Sequence, residues 1–166
     1  MKPGFMPRVL STLLFTAIMA IVLVGARERS ASAQSQTATC SFLEIAATNA
    51  DPGSIDPALK AIEKKLKRPP FTYWNTFKLL GKASKELALL KAEVVTMTQG
   101  QASVLFRQSS KASNKKERFE LSITVDDQNG KRVVDTKTSV DAGDYILIGR
   151  SLPNNDGHFL ALTCKP

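Results

Sequence analysis

Between Arg118 and Asp126 apolar and polar side chains alternate without a fault: Phe119, Leu121, Ile123 and Val125 are set against Arg118, Glu120, Ser122, Thr124 and Asp126. Successive side chains of a strand point to opposite faces, so this stretch fits a sheet with one face buried and the other in water. A lone strand or hairpin is marginal in water, so the rest of the chain has to supply more strands and a covering layer. Asn129-Gly130 follows within Asp127–Gly130, and its tolerance of positive φ predicts a type I′ hairpin. Val134, Thr136, Thr138 and Val140 form the returning strand. Asp141-Ala-Gly143 marks another turn, Tyr145–Ile148 an apolar strand, and Pro153–Gly157 the turn into a last strand over 158–164.

Upstream, residues 38–48 are a short apolar run, read as a strand, and Asn49–Ser54 is dense in turn formers. Asp56-Pro57 is a helix start, because the carboxylate accepts orphan backbone N–H groups and proline costs no hydrogen bond in the first turn. Leu59, Ile62 and Leu66 then give one helix over 57–67 with a narrow apolar stripe. Lys64, Lys65, Lys67 and Arg68 favour the negative end of its dipole, and Pro69-Pro70 stops it. Phe71, Tyr73, Asn75, Phe77 and Leu79 share one parity, which predicts a strand over 72–80. Residues 85–98 alternate loosely as strand, Gln99-Gly100 turns, and Ala102, Val104 and Phe106 open another strand. The polar stretch Gln108–Lys116 reads as a hairpin loop. The expected fold is mainly β (α+β): an antiparallel β-sandwich, or a sheet of about seven or eight strands, with one short N-terminal helix.

The first 33 residues read as a signal peptide, with residues 34–166 as a single β-rich exported domain. Lys2 and Arg8 make a positive start, Val9–Ala26 carries no charge, and Ala31-Ser32-Ala33 offers the small residues that a signal peptidase accepts, giving cleavage before Gln34. The alternative is an uncleaved anchor, since about 18 apolar residues reach the lower limit for spanning a bilayer, and Arg27, Glu28 and Arg29 are unusual next to a cleavage site. A lipid-attachment cysteine is disfavoured, because Thr37-Ala38-Thr39 before Cys40 lacks the Leu-like residue that motif requires. Without the first 33 residues the 23 basic and 15 acidic side chains become 19 and 14, a mildly basic domain. A hydrophobic fraction of 43% supports a packed core.

The two cysteines, Cys40 and Cys164, sit near the two ends of that domain, and export brings them into oxidising conditions, so one disulfide closing nearly the whole domain is expected. Free thiols or a metal pair are the alternatives, but structural zinc takes four ligands and the chain has a single histidine.

That histidine, His158, lies beside the Asp156-Gly157 turn with no nucleophile-elbow pattern, and the chain has no HExxH spacing. A calcium loop fails because its first ligand position would be Val125 or Leu152, and no phosphate-cradling glycine loop is present. Paired carboxylates such as Asp141 and Asp144 are what any chain with this many acids contains. No catalytic residue, metal or cofactor is therefore assigned. The alternative from another class is a small secreted hydrolase centred on His158 and a nearby carboxylate.

Binding surfaces are better supported. Lys111, Lys115, Lys116 and Arg118, with Arg107, flank or occupy one polar loop and offer an electrostatic contact, although loops and helix ends collect lysine for solubility alone. Phe71, Tyr73, Trp74 and Phe77 crowd together after the double proline. Aromatics of this kind pack a core or, when exposed, stack on sugar rings and anchor partners, and Tyr73 and Trp74 are the candidates. Export argues against nucleic acid, which leaves an envelope protein or an anionic glycan or lipid as partner, and a membrane only if the signal segment is retained.

Ile55–Leu66, Pro70-Phe-Thr-Tyr73 with Phe77-Lys-Leu-Leu-Gly81, and Asp156-Gly-His-Phe-Leu-Ala-Leu162 resemble segments of small exported proteins of myxobacteria and related Gram-negative bacteria. The resemblance implies a signal peptide, one short helix and a β-rich remainder, and brings no activity or site with it. A non-enzymatic exported domain that binds or supports structure in the cell envelope is the expectation.

Overall fold

A computed structural model describes residues 36–113 and 115–166; the expected signal peptide, residues 1–33, and the expected cleavage before Gln34 lie outside the described residues. Eight antiparallel strands form two four-stranded sheets, a sandwich as expected. Strands β1 (Thr37–Thr48), β2 (Thr76–Ala88), β7 (Ile146–Ser151) and β8 (Gly157–Lys165) make the first sheet in the order β2-β1-β8-β7. The second is a meander of β3 (Ala92–Met97), β4 (Gly100–Lys111), β5 (Glu117–Asp126) and β6 (Arg132–Asp141).

The two sheets differ in pattern because they differ in cover. The second sheet buries one face, so Phe119, Leu121, Ile123 and Val125 of β5 join Ala102, Val104 and Phe106 of β4 in the core, and their alternate neighbours face water. The first sheet is covered on both faces. Ala38, Cys40, Phe42, Leu160 and Leu162 face the second sheet, whereas Leu43, Ile45, Ala47, Phe159 and Ala161 lie under a helical layer. Double burial explains why β1 and β8 read as nearly continuous apolar runs.

The helical layer starts where Asp56 and Pro57 place it. One Asp56 carboxylate oxygen accepts from the Ala58 amide at 2.9 Å and the other from the Leu79 amide at 3.3 Å, so the cap also ties the segment to β2. The expected single helix is a 3-10 segment Pro57–Ile62 running into one α-turn, Glu63–Leu66, and it buries Leu59, Ile62 and Leu66.

Three further expectations are corrected. The strand expected over 72–80 begins only at Thr76, because Phe71–Tyr73 forms a 3-10 turn, and the spacing of Phe71, Trp74 and Lys78 fits a helical turn as well as a strand. The expected loop at Gln108–Lys116 is shorter, since β4 continues through Lys111 and Glu117 and Arg118 belong to β5. At Asp127–Gly130 only Gly130 has positive φ, +74°, so the turn is not type I′. Asp127 accepts from the Asn129 and Lys131 amides at 2.9 and 3.0 Å, which keeps Asn129 out of the left-handed region.

A bulge in β2 makes the double cover possible. Glu44 pairs with Gly81 but Ile45 with Leu79, leaving Leu80 as the extra residue. One inserted residue flips the side chains beyond it, so Phe77 and Leu79 face the helical layer while Ala83 and Leu87 face the other sheet.

The disulfide is present. Cys40 and Cys164 are directly opposed on β1 and β8, with Cα atoms 4.1 Å apart, and both residues are 0% exposed. It joins positions 124 residues apart near one pole of the sandwich, the pole where residue 36 enters β1. A thiol reagent therefore meets no accessible sulfur in the folded protein. Reduction by dithiothreitol is expected only after denaturant is added, a difference that mass-counted alkylation reads directly.

Candidate functional site

Two constellations sit at the pole opposite the disulfide. The first is a polar clasp inside the core. Glu44 interrupts the apolar face of β1 and is 4% exposed. Its carboxylate accepts from the Thr98 amide at 2.7 Å and the Gln99 amide at 3.1 Å, both in the β3–β4 turn of the other sheet. His158 Nε2 lies 2.8 Å from Glu44 Oε1 and, with Glu44 ionised, donates to it. Burial pushes the Glu44 carboxyl up, but the Thr98 amide, the His158 imidazole, the Thr98 side chain and the Gln99 amide together outweigh it and hold the group below the ordinary glutamate value. The clasp thus closes one end of the inter-sheet core and ties the sheets together.

His158 is buried, also at 4% exposure, rather than at the surface. Among the described residues its ring makes this one side-chain hydrogen bond, with no serine, threonine or cysteine partner. The carboxylate that meets His158 is Glu44, across the β1–β8 pairing, and not the sequence neighbour Asp156. A carboxylate inside the run Phe42–Ala47 was the available signal, since a buried charge has to be met by donors.

The second constellation is an aromatic shelf. Gly149 on the edge strand β7 is paired with Phe159 on β8, and the Phe159 ring lies across the space a side chain at 149 would fill. A Cβ at that position would come within 2.2 Å of the His158 carbonyl and 2.4 Å of the Phe159 ring. Phe71 and Trp74 meet this ring edge-on, with centroids 5.3 and 5.1 Å away. The Trp74 indole donates to the Asn155 carbonyl at 2.7 Å, fixing it against the β7–β8 turn. Gly149→Ala is therefore expected to lower stability by about 2–3 kcal/mol, because neither backbone nor ring can withdraw; thermal denaturation measures it.

Over this shelf runs a groove of about 440 Å³ lined by Pro70, Tyr73, Trp74, Arg150, Asn155 and their neighbours. The two aromatics singled out from the sequence play opposite parts: Trp74 is 9% exposed and belongs to the packing, whereas Tyr73 is 78% exposed. The Tyr73 ring touches the indole only obliquely, at 6.0 Å and 58°. Arg150 has no ion pair among the described residues, and its Nε is buried without an acceptor. Arg150 and Asn155 carry no motif, and only the fold brings them to the aromatics.

The basic residues do not join this groove. Lys111 ends β4, Lys115 and Lys116 lie in the short β4–β5 loop, and Arg118 opens β5, all at the disulfide pole. Arg118 is held by Asp141 at 2.6 Å and Lys116 by Asp144 at 3.5 Å. Lys111 and Lys115 make no ion pair among the described residues. Among those residues, no three His, Cys, Asp or Glu side chains gather as a metal site. Comparison with protein-family models, curated proteins and solved structures finds no match, so the functional reading rests on the chain's own residues.

Proposed function

We propose that this is an exported, non-enzymatic domain of the cell envelope that works by binding, with the Tyr73 groove as its ligand site. The observation that carries the reading is Tyr73 itself: an aromatic ring held clear of the core over the shelf, in a groove also lined by Arg150, which has no acid partner among the described residues. An exposed ring costs free energy in water and repays it by stacking on a sugar face or an apolar partner. A nearby guanidinium favours ligands that carry carboxylate or sulfate. An anionic glycan satisfies both.

Export to the periplasm or beyond is supported by the buried disulfide, since such bonds persist in oxidising compartments. The alternative hydrolase needs an imidazole open to substrate, and His158 is enclosed with its Nε2 engaged by Glu44, which favours binding over turnover.

Trp74 is the one tryptophan of the chain and lines the groove, so its fluorescence reports occupancy. Titration with trigalacturonate is expected to change that emission saturably, while neutral cellotriose leaves it unchanged. Tyr73→Ala should weaken the response at least about tenfold, with stability altered by no more than about 0.5 kcal/mol, because the residue is exposed. A response that Tyr73→Ala leaves intact, or none at all to the acidic sugar, would overturn the assignment.

A further inference from the structure

The disulfide pole carries a second surface, distinct from the groove. Exposed large apolar side chains are few among the described residues: besides Tyr73 they are Leu89, Leu90 and Val94, all in the β2–β3 turn or the strand after it. Leu90 is 71% exposed at φ +59°, in the left-handed region that glycine and asparagine favour. The turn closes through Lys91 N donating to the Ala88 carbonyl at 3.1 Å, a geometry that a glycine would meet without strain. A leucine here is unfavourable twice over, in backbone conformation and in hydration; its amide is satisfied by the Phe106 carbonyl at 2.7 Å, a bond that a glycine would make equally well.

The surroundings are basic. The Leu89 amide donates to the Gln36 carbonyl at 3.0 Å, placing the turn beside the point where the chain enters the domain. Gln36 in turn lines a concavity of about 530 Å³ together with Ser109, Ser110, Lys111 and Lys115. Lys111, Lys115 and Lys165 are exposed at this pole and carry no ion pair among the described residues, and exposed Lys85 lies near enough to Glu93 to act on its charge. The acids nearby are largely engaged: Glu93 with Lys91, Asp141 with Arg118, and Asp144 with Lys116, leaving Glu86 and Glu117. Gln36, the first described residue, therefore lies at this pole.

We infer that this pole docks on an anionic lipid bilayer, with Leu89 and Leu90 entering the headgroup boundary and the unpaired lysines held by lipid phosphates. Apolar side chains framed by lysine are what an interfacial contact requires, since burial supplies adhesion and the charges act within a Debye length of the surface, roughly 8–10 Å. The inference extends the envelope reading by giving the domain an orientation. Strand β8 spans the distance between the poles, about 25 Å at about 3.3 Å per residue, so a domain standing on Leu90 presents the Tyr73 groove away from the membrane.

The test uses the protein as isolated from its own cells, with Leu90→Cys carrying the environment-sensitive dye NBD; the native sulfurs are buried in the disulfide and do not compete. Vesicles of phosphatidylcholine with roughly 30% phosphatidylglycerol should shift the emission to the blue and render it quenchable by spin-labelled lipid. The same dye at Tyr73→Cys should not respond. Lys111→Glu with Lys115→Glu, or about 0.5 M NaCl, should weaken the response about tenfold. Leu90→Gly should melt at the same temperature as the parent or higher, yet lose vesicle binding, which separates docking from folding. A dye at position 90 that stays in water, an equal response at position 73, or an equal response to pure phosphatidylcholine would each overturn the inference. The glycan titration reads the opposite pole, so failure of one proposal is distinguishable from failure of the other.

Discussion

Replacing Glu44 with glutamine is expected to cost about 3 kcal/mol of folding stability at pH 7. The amides of Thr98 and Gln99, the His158 imidazole and the Thr98 side chain converge on this carboxylate. Glutamine offers one acceptor oxygen and turns an NH₂ toward the remaining donors, leaving buried N–H groups unpaired and opposed. The pH dependence has a fixed sign. Because the folded carboxyl lies below its ordinary value of 4.5, its contribution is fully present above that value and disappears as the pH falls through the folded pKa. The parent protein should therefore lose its advantage over Glu44→Gln on the acid side of pH 4.5. Urea denaturation of both proteins at neutral and acid pH measures it. Equal stabilities at pH 7, or a gap that widens in acid, would show that the clasp does not tie the two sheets.

The second large effect concerns the staple. Cys40→Ala with Cys164→Ala removes a cross-link between residues 124 apart, and the chain-entropy description puts the loss at about 4–5 kcal/mol. A domain of this size has about 5–15 kcal/mol in all, so the double variant should be folded only marginally at growth temperature. β1 and β8 pair along nine residues with or without the bond, so the fold should persist at low temperature, with the same far-ultraviolet circular dichroism and a much lower melting point. The two effects should add, since the clasp and the disulfide lie toward opposite ends of the β1–β8 pairing, beyond the range at which mutations couple.

Fold class was legible in this sequence because the second sheet faces water on one side. Wherever one face of a strand is wet, alternation survives, and Phe119–Val125 announces both the strand and its inward residues. The first sheet speaks less clearly. Its central strands are covered on both faces, so Phe42–Ala47 and Phe159–Leu162 reveal a strand without revealing which residues look which way. The bulge at Leu80 was hidden for a related reason: it changes parity inside β2, and the shared parity of Phe71–Leu79 invited a strand that began too early.

The candidate site divides along the same line. Tyr73 and Trp74 stood out as a cluster, but only the fold assigns one to the shelf and the other to solvent. The lysines stood out as a run, and the fold places them at the far pole from the aromatics. Glu44 was visible as a charge in an apolar segment, yet its partners come from residues far along the chain, as close pairing across two sheets requires. Arg150 and Asn155 had no local signal, because their relation to Tyr73 exists only after β7, β8 and the helical layer have assembled.

The most direct test of an exported, disulfide-closed domain is the intact mass of the protein from its own host, alkylated with and without prior denaturation and reduction. The account predicts a chain beginning at Gln34 that gains two alkyl groups only after both treatments. A mass that includes the first 33 residues, together with thiols that alkylate without reduction, would contradict it.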